Sequence, residues 1–243
     1  MPARLAMPLK DWLRRPGQGR DARLREALSQ ARGGGAEEAV VTLSESFPEA
    51  LDRLRSMGEQ EDAGWHRLAA WLAFRSGRMR DAATSAEASL ELESDAATWH
   101  LLGRVRTWLN SAAAPAAFAR AALLDSDEFS IPYRVSRDRF AALAEEAFAA
   151  IPEPFRLRMD NTMVVIDDLP EIEAVREGED PDILGIYEGA TAIDRGLPER
   201  IVLYQRNHEQ VVTTQEQLRR EVQETMRHEV GHHFGMSEEE LPY

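Results

Sequence analysis

Cysteine is absent from the 243 residues, which excludes disulfides, thiolate zinc sites and cysteine nucleophiles. Lysine is nearly absent: Lys10 stands alone among 29 basic side chains, which face 43 acidic ones. The resulting formal charge of −14, with an isoelectric point near 4.9, repels nucleic-acid phosphates and anionic membrane surfaces. Neither is an expected partner. No stretch approaches the roughly 18 uninterrupted apolar residues of a membrane span. The N-terminus also lacks the apolar core of a signal peptide. A soluble, cytoplasmic protein is the expectation. A chain of 27.3 kDa fits one large domain or two modest ones, and either can bury a core without staples.

What is present falls into two halves. Residues 1–27 carry seven basic and three acidic side chains, the one basic stretch of an acidic chain. A solvated tail is the simplest reading; a docking arm for an acidic partner is the alternative. Residues 28–135 are alanine-rich and read as helices broken by Gly33-Gly34-Gly35, Pro48, Gly58, Gly77 and Pro115. A shift of 34 residues superimposes Trp65 on Trp99, His66 on His100, Leu68 on Leu102, Ala82 on Ala116 and Ala88 on Ala122. That period, with a bulky residue early in the first helix and alanines where the second packs closely, resembles a short tetratricopeptide-like array. Units over 62–95 and 96–129 are expected, with helices in 21–58 as a cap. His66 and His100 then take structural places in their helix pairs. Trp65, Trp71, Trp99 and Trp108 read as core.

The character changes after Ile131-Pro132, and residues 136–243 read as a small α+β domain. Ser136 can cap a helix whose Phe140, Leu143, Ala147 and Ile151 form one apolar stripe. Strands are expected at 162–166, 183–187 and 201–204, from TMVVI, ILGIY and IVLY. Between the first two, residues 167–182 hold eight acidic side chains against Arg176 alone, the composition of an exposed loop. The third strand, Ile201–Tyr204, is the expected sheet edge.

The chemistry lies in the last stretch. Thr213-Thr214-Gln215-Glu216 opens a helix with a capping-box arrangement. Leu218, Val222, Met226, Val230 and Phe234 recur every four residues as its buried stripe, and Gly235 supplies a left-handed stop. This helix carries His228-Glu229-Val230-Gly231-His232. Histidines at i and i+4 lie one turn apart on one face, where both imidazoles can reach one zinc ion. Glu229, one residue on, can face a water on the metal without being a ligand. His208-Glu209 offers a contrast, because Val212 stands four residues after His208 and supplies no second ligand. A third ligand from downstream has to be Glu238, Glu239 or Glu240. Glu238, ten residues after His228, is the expected one, since Gly235 lets the chain reverse. His233 points about 100° away from His232 and is expected beside the site or facing solvent rather than as a ligand. Tyr187, Arg195, Tyr204 and His208 are the polar groups that could donate to a transition state, although each reads first as an ordinary strand or loop residue.

HEVGHHFGMSEEEL, together with LGIYEG at 184–189 and RIVLYQR at 200–206, is similar to the bacterial minimal zincin family of small metallopeptidases. The resemblance covers residues 136–243 in the order helix, β segments, motif helix. It implies a compact α+β zincin domain, Zn2+ at His228 and His232, and Glu229 as catalytic base. The family's third ligand is typically an aspartate at the position of Glu238, and the extra methylene here shifts that carboxylate. The function expected is zinc-dependent hydrolysis of peptide bonds, with the helical array recruiting a protein substrate or partner. The alternative is an interaction adaptor whose metal site is structural.

Overall fold

Asp62 and Asp95 each open a helix by accepting a backbone N–H three residues on, from Trp65 at 2.9 Å and from Thr98 at 2.8 Å. These caps belong to the first of the two units into which the chain divides, Met1–Phe129 and Ser130–Tyr243. The structure is a computed structural model that describes residues 18–43, 46–159, 161–189 and 199–236. Most of the basic tail therefore lies outside the described residues.

Seven helices make up the described part of the first unit. They are α1 (Gln18–Arg32), α2 (Ala36–Val41), α3 (Phe47–Ser56), α4 (Ala63–Arg75), α5 (Met79–Leu92), α6 (Ala96–Trp108) and α7 (Ala114–Leu124). The starts of α4 and α6 are 33 residues apart and those of α5 and α7 are 35 apart, so the 34 seen in sequence is their mean. The slip comes from the links: three residues join α4 to α5 and five join α6 to α7. Burial follows the helices and not the mean. Ala82 and Ala86 match the buried Ala117 and Ala121, whereas Ala116 is exposed. Arg67, 2% exposed, donates to the Ala31 carbonyl, the Thr98 hydroxyl and the Asp95 carboxylate, which ties three helices together. His100 sits against Phe118 and Phe129 as a structural residue, and burial with the nearby Arg104 charge lowers its pKa to about 4.

The second unit opens with α8 (Arg137–Ala149), capped by Ser136, whose hydroxyl accepts from the Arg139 N–H at 3.2 Å. There follow α9 (Glu153–Arg156), β1 (Thr162–Asp167), α10 (Ile172–Glu177), β2 (Gly185–Glu188), β3 (Glu199–Tyr204), α11 (Gln205–Gln210) and α12 (Gln215–His233). The core takes Phe140, Leu143, Ala147 and Ile151 from the α8 region, Ile201 and Leu203 from β3, and Leu218, Val222, Met226 and Val230 from α12. Each of these side chains other than Ala147 contributes about 1.5–3 kcal/mol on burial. Tyr133 and Val135 pack on this core, so the division of the chain precedes them.

Two expectations are corrected here. Strand order is β1-β3-β2, with β3 parallel to β1 and antiparallel to β2, so Ile201–Tyr204 is central and not an edge. Ile201, Val202 and Leu203 are all buried, and a strand covered on both faces reads as a continuous apolar run. The acidic stretch is also not a plain exposed loop. It contains α10 and is anchored by the buried Pro170, Val175 and Pro181, three apolar residues that its net charge masked. Gly178, at φ +116°, ends that helix.

Candidate metal centre

Helix α12 is secured at both ends. The Thr214 hydroxyl accepts from the Gln217 N–H at 3.2 Å, and the Gln217 side chain accepts from the Thr214 N–H at 3.1 Å. At the other end Gly235 takes φ +78°, and the Met236 N–H donates back to the Gly231 carbonyl at 3.1 Å. The apolar stripe holds one side of the helix on the core, which leaves His228 and His232 side by side on another.

Their Nε2 atoms are 3.0 Å apart, with the rings nearly perpendicular at 81°. His232 Nδ1 lies 3.2 Å from the Met236 carbonyl. A carbonyl only accepts, so Nδ1 carries the proton and Nε2 presents its lone pair toward His228. In the neutral pair His228 Nε2–H donates into that lone pair. With the His228 proton on Nδ1 instead, both Nε2 atoms would present lone pairs to one ion. A tetrahedral zinc ion with bonds of about 2.0–2.1 Å holds two ligand nitrogens about 3.3–3.4 Å apart. A small opening of the pair meets that requirement, and imidazole suits the ion. Glu229, 5% exposed, lies one residue round the helix from His228.

Among the described residues, no group of three histidine, aspartate or glutamate side chains assembles as a metal site. Glu238, the expected third ligand, lies outside the described residues, as do Glu239, Glu240 and Arg195. The structure therefore brings together His228 and His232, with Glu229 beside them.

His208 belongs elsewhere. It is fully buried, its Nδ1 donates to the Tyr204 carbonyl at 2.9 Å, and its Nε2 accepts from the Thr225 hydroxyl at 3.1 Å. Burial pushes its pKa down to about 4, so it is a neutral strut between α11 and the motif helix. Glu209 beside it accepts from the Val135 N–H, Arg134, Gln205 and Arg206. Burial alone would raise its pKa, and these hydrogen bonds outweigh it and hold the carboxyl below the usual range.

The sheet approaches α12 at Gly185. A Cβ there would stand 2.8 Å from Thr225 Cγ2 and 3.0 Å from the Val202 carbonyl. Gly185→Ala therefore has to push α12 off β2, and it should cost about 1–3 kcal/mol in chemical denaturation. An unchanged denaturation midpoint would show that the contact is slack.

One cluster was not foreseen in the sequence. His233 Nδ1 lies 2.9 Å from Glu199 Oε2 and 3.1 Å from the Tyr187 hydroxyl, which joins α12 to β3 and β2. The doubled histidine was the one available signal, and nothing local in sequence names its partners.

Residues 159–243 match the model of the zincin-like metallopeptidase family. The chain thus carries a zincin-like metallopeptidase domain in its C-terminal part, behind an all-helical region. No curated protein matches the chain. No helix among the described residues is long and apolar enough to cross a membrane.

Proposed function

We propose that the C-terminal unit hydrolyses peptide bonds with a zinc ion held by His228, His232 and Glu238. The observation that carries this reading is the pair of imidazole nitrogens 3.0 Å apart on a capped helix, with the buried Glu229 next to them. Bound zinc supplies Lewis acidity and lowers the pKa of a bound water toward about 7. Glu229 takes the proton of the attacking water and passes it to the leaving amine. Strand β2 pairs only with β3 among the described residues, so its other edge can hold an extended peptide by main-chain hydrogen bonds. The helical region recruits the protein substrate. The tetratricopeptide-like reading of that region rests on its helix spacing.

Metal content tests the proposal. Elemental mass spectrometry of the purified protein should find about one zinc per chain, and the His228→Ala/His232→Ala variant should hold none. A wild-type protein that takes up no zinc when supplied with it would overturn the reading.

A further inference from the structure

The last turn of α12 carries His232, and helix ends fray unless something holds them. Among the described residues its backbone N–H groups bond within the turn, Phe234 to the Val230 carbonyl, Gly235 to that of His232 and Met236 to that of Gly231. Phe234 lies on the core side, against Phe155 and beneath the Arg158 guanidinium. His233 ties the same turn to the sheet. Its Nδ1–H meets Glu199 Oε2 at 2.9 Å and the Tyr187 hydroxyl at 3.1 Å, and the Tyr187 and His233 rings meet edge to face at 5.3 Å.

The partners are themselves fixed. Glu199, the first residue of β3, also accepts from the Thr162 hydroxyl of β1 at 3.3 Å. The Tyr187 hydroxyl lies close to the same carboxylate. Gly189 lets the chain close over the tyrosine, because a Cβ there would lie 2.8 Å from the ring. Imidazole, carboxylate and phenol thus interlock, and all three strands share in holding one turn of the motif helix.

We infer that His233 is a positioning residue: through Glu199 and Tyr187 it fixes the turn bearing His232 against strand β2, and so sets the geometry of the metal chelate. The inference rests on the zinc reading above. His233 stands apart from the chelate because it follows His232 by one residue, about 100° round the helix, with its ring turned to the sheet. Its effect passes along one peptide to His232, whose Nδ1 depends on the same turn through the Met236 carbonyl.

The test is zinc affinity, measured on the full chain by competition with a chromogenic chelator, with the visible spectrum of the Co2+-substituted protein beside it. His233→Phe keeps the ring packing and removes the N–H. It should weaken zinc binding about 10- to 100-fold and alter the cobalt spectrum. His233→Asn places an amide N–H where Nδ1–H was and should restore both toward wild type. Tyr187→Phe, which removes only a hydroxyl, should change the cobalt spectrum in the same direction and keeps the test available if His233→Phe does not fold. Wild-type affinity and spectrum in both His233→Phe and Tyr187→Phe would overturn the inference while leaving the zinc site standing. Equal losses in the Phe and Asn variants, matched by an equal fall in metal-free Tm, would overturn it in favour of a merely structural role. A wild-type protein that binds neither ion would overturn both readings.

Discussion

Glu229→Gln should keep its zinc and lose about 10²- to 10⁴-fold in kcat, the range a positioned proton acceptor contributes. The substitution is nearly isosteric, and Glu229 is 5% exposed, so the amide occupies the same packed space. The imidazoles lie on their own face of the helix, and neither the Thr214 cap nor the Gly235 stop involves position 229. The variant therefore keeps the shape of the side chain while removing the carboxylate's charge and its ability to accept a proton. Steady-state rates on a peptide panel, with zinc measured on the same samples, separate the outcomes. Wild-type turnover with zinc retained would remove Glu229 from its role as base. Loss of zinc together with activity would make Glu229 a support for the chelate instead.

Much of the second unit was legible because its signals are local. The α12 stripe, its cap and its stop lie within one helix, and so do the two paired histidines, because i and i+4 meet wherever a helix forms. The Ser136 cap and the Phe140–Ile151 stripe are equally local. What could not be read depends on partners far along the chain. The run Ile201–Tyr204 is equally compatible with an edge or a central strand until β1 and β2 are seen on either side. Acidic residues outnumbered Pro170, Val175 and Pro181, and only packing shows which of them count. Glu199 joins His233 across 34 positions and Tyr187 joins it across 46, a pairing that no helical or strand period announces. In the first unit the 34-residue spacing was visible, but links of unequal length divide it into 33 and 35.

Acidification should destabilise both units before most carboxylates titrate. His208 is neutral in the fold, with Nδ1–H donated to Tyr204 and Nε2 accepting from Thr225, so the folded protein takes up its proton only near pH 4. The unfolded chain binds that proton near pH 6.5. Between these values the unfolded state holds more protons, so stability rises with pH across the window. The contribution is complete above about pH 6.5 and is lost as pH falls toward 4, by about 3 kcal/mol for a group so fully buried. His100 acts in the same direction in the first unit, through its own burial. Glu209, held below the usual carboxylate range, adds its loss only at lower pH, as its folded value is passed. The aromatic residues separate the two units, because Trp65, Trp71, Trp99 and Trp108 all precede Phe129 while Tyr133, Tyr187 and Tyr204 follow it. Tryptophan fluorescence therefore follows the first unit, and calorimetry with the His208→Asn variant follows the second. The second transition should move to lower temperature from pH 7 to pH 4.5, and the variant should flatten that dependence by removing the titrating group. A Tm for the second unit that stays constant over this interval would mean that His208 can be protonated in place, and that its bond to Thr225 does not hold the motif helix.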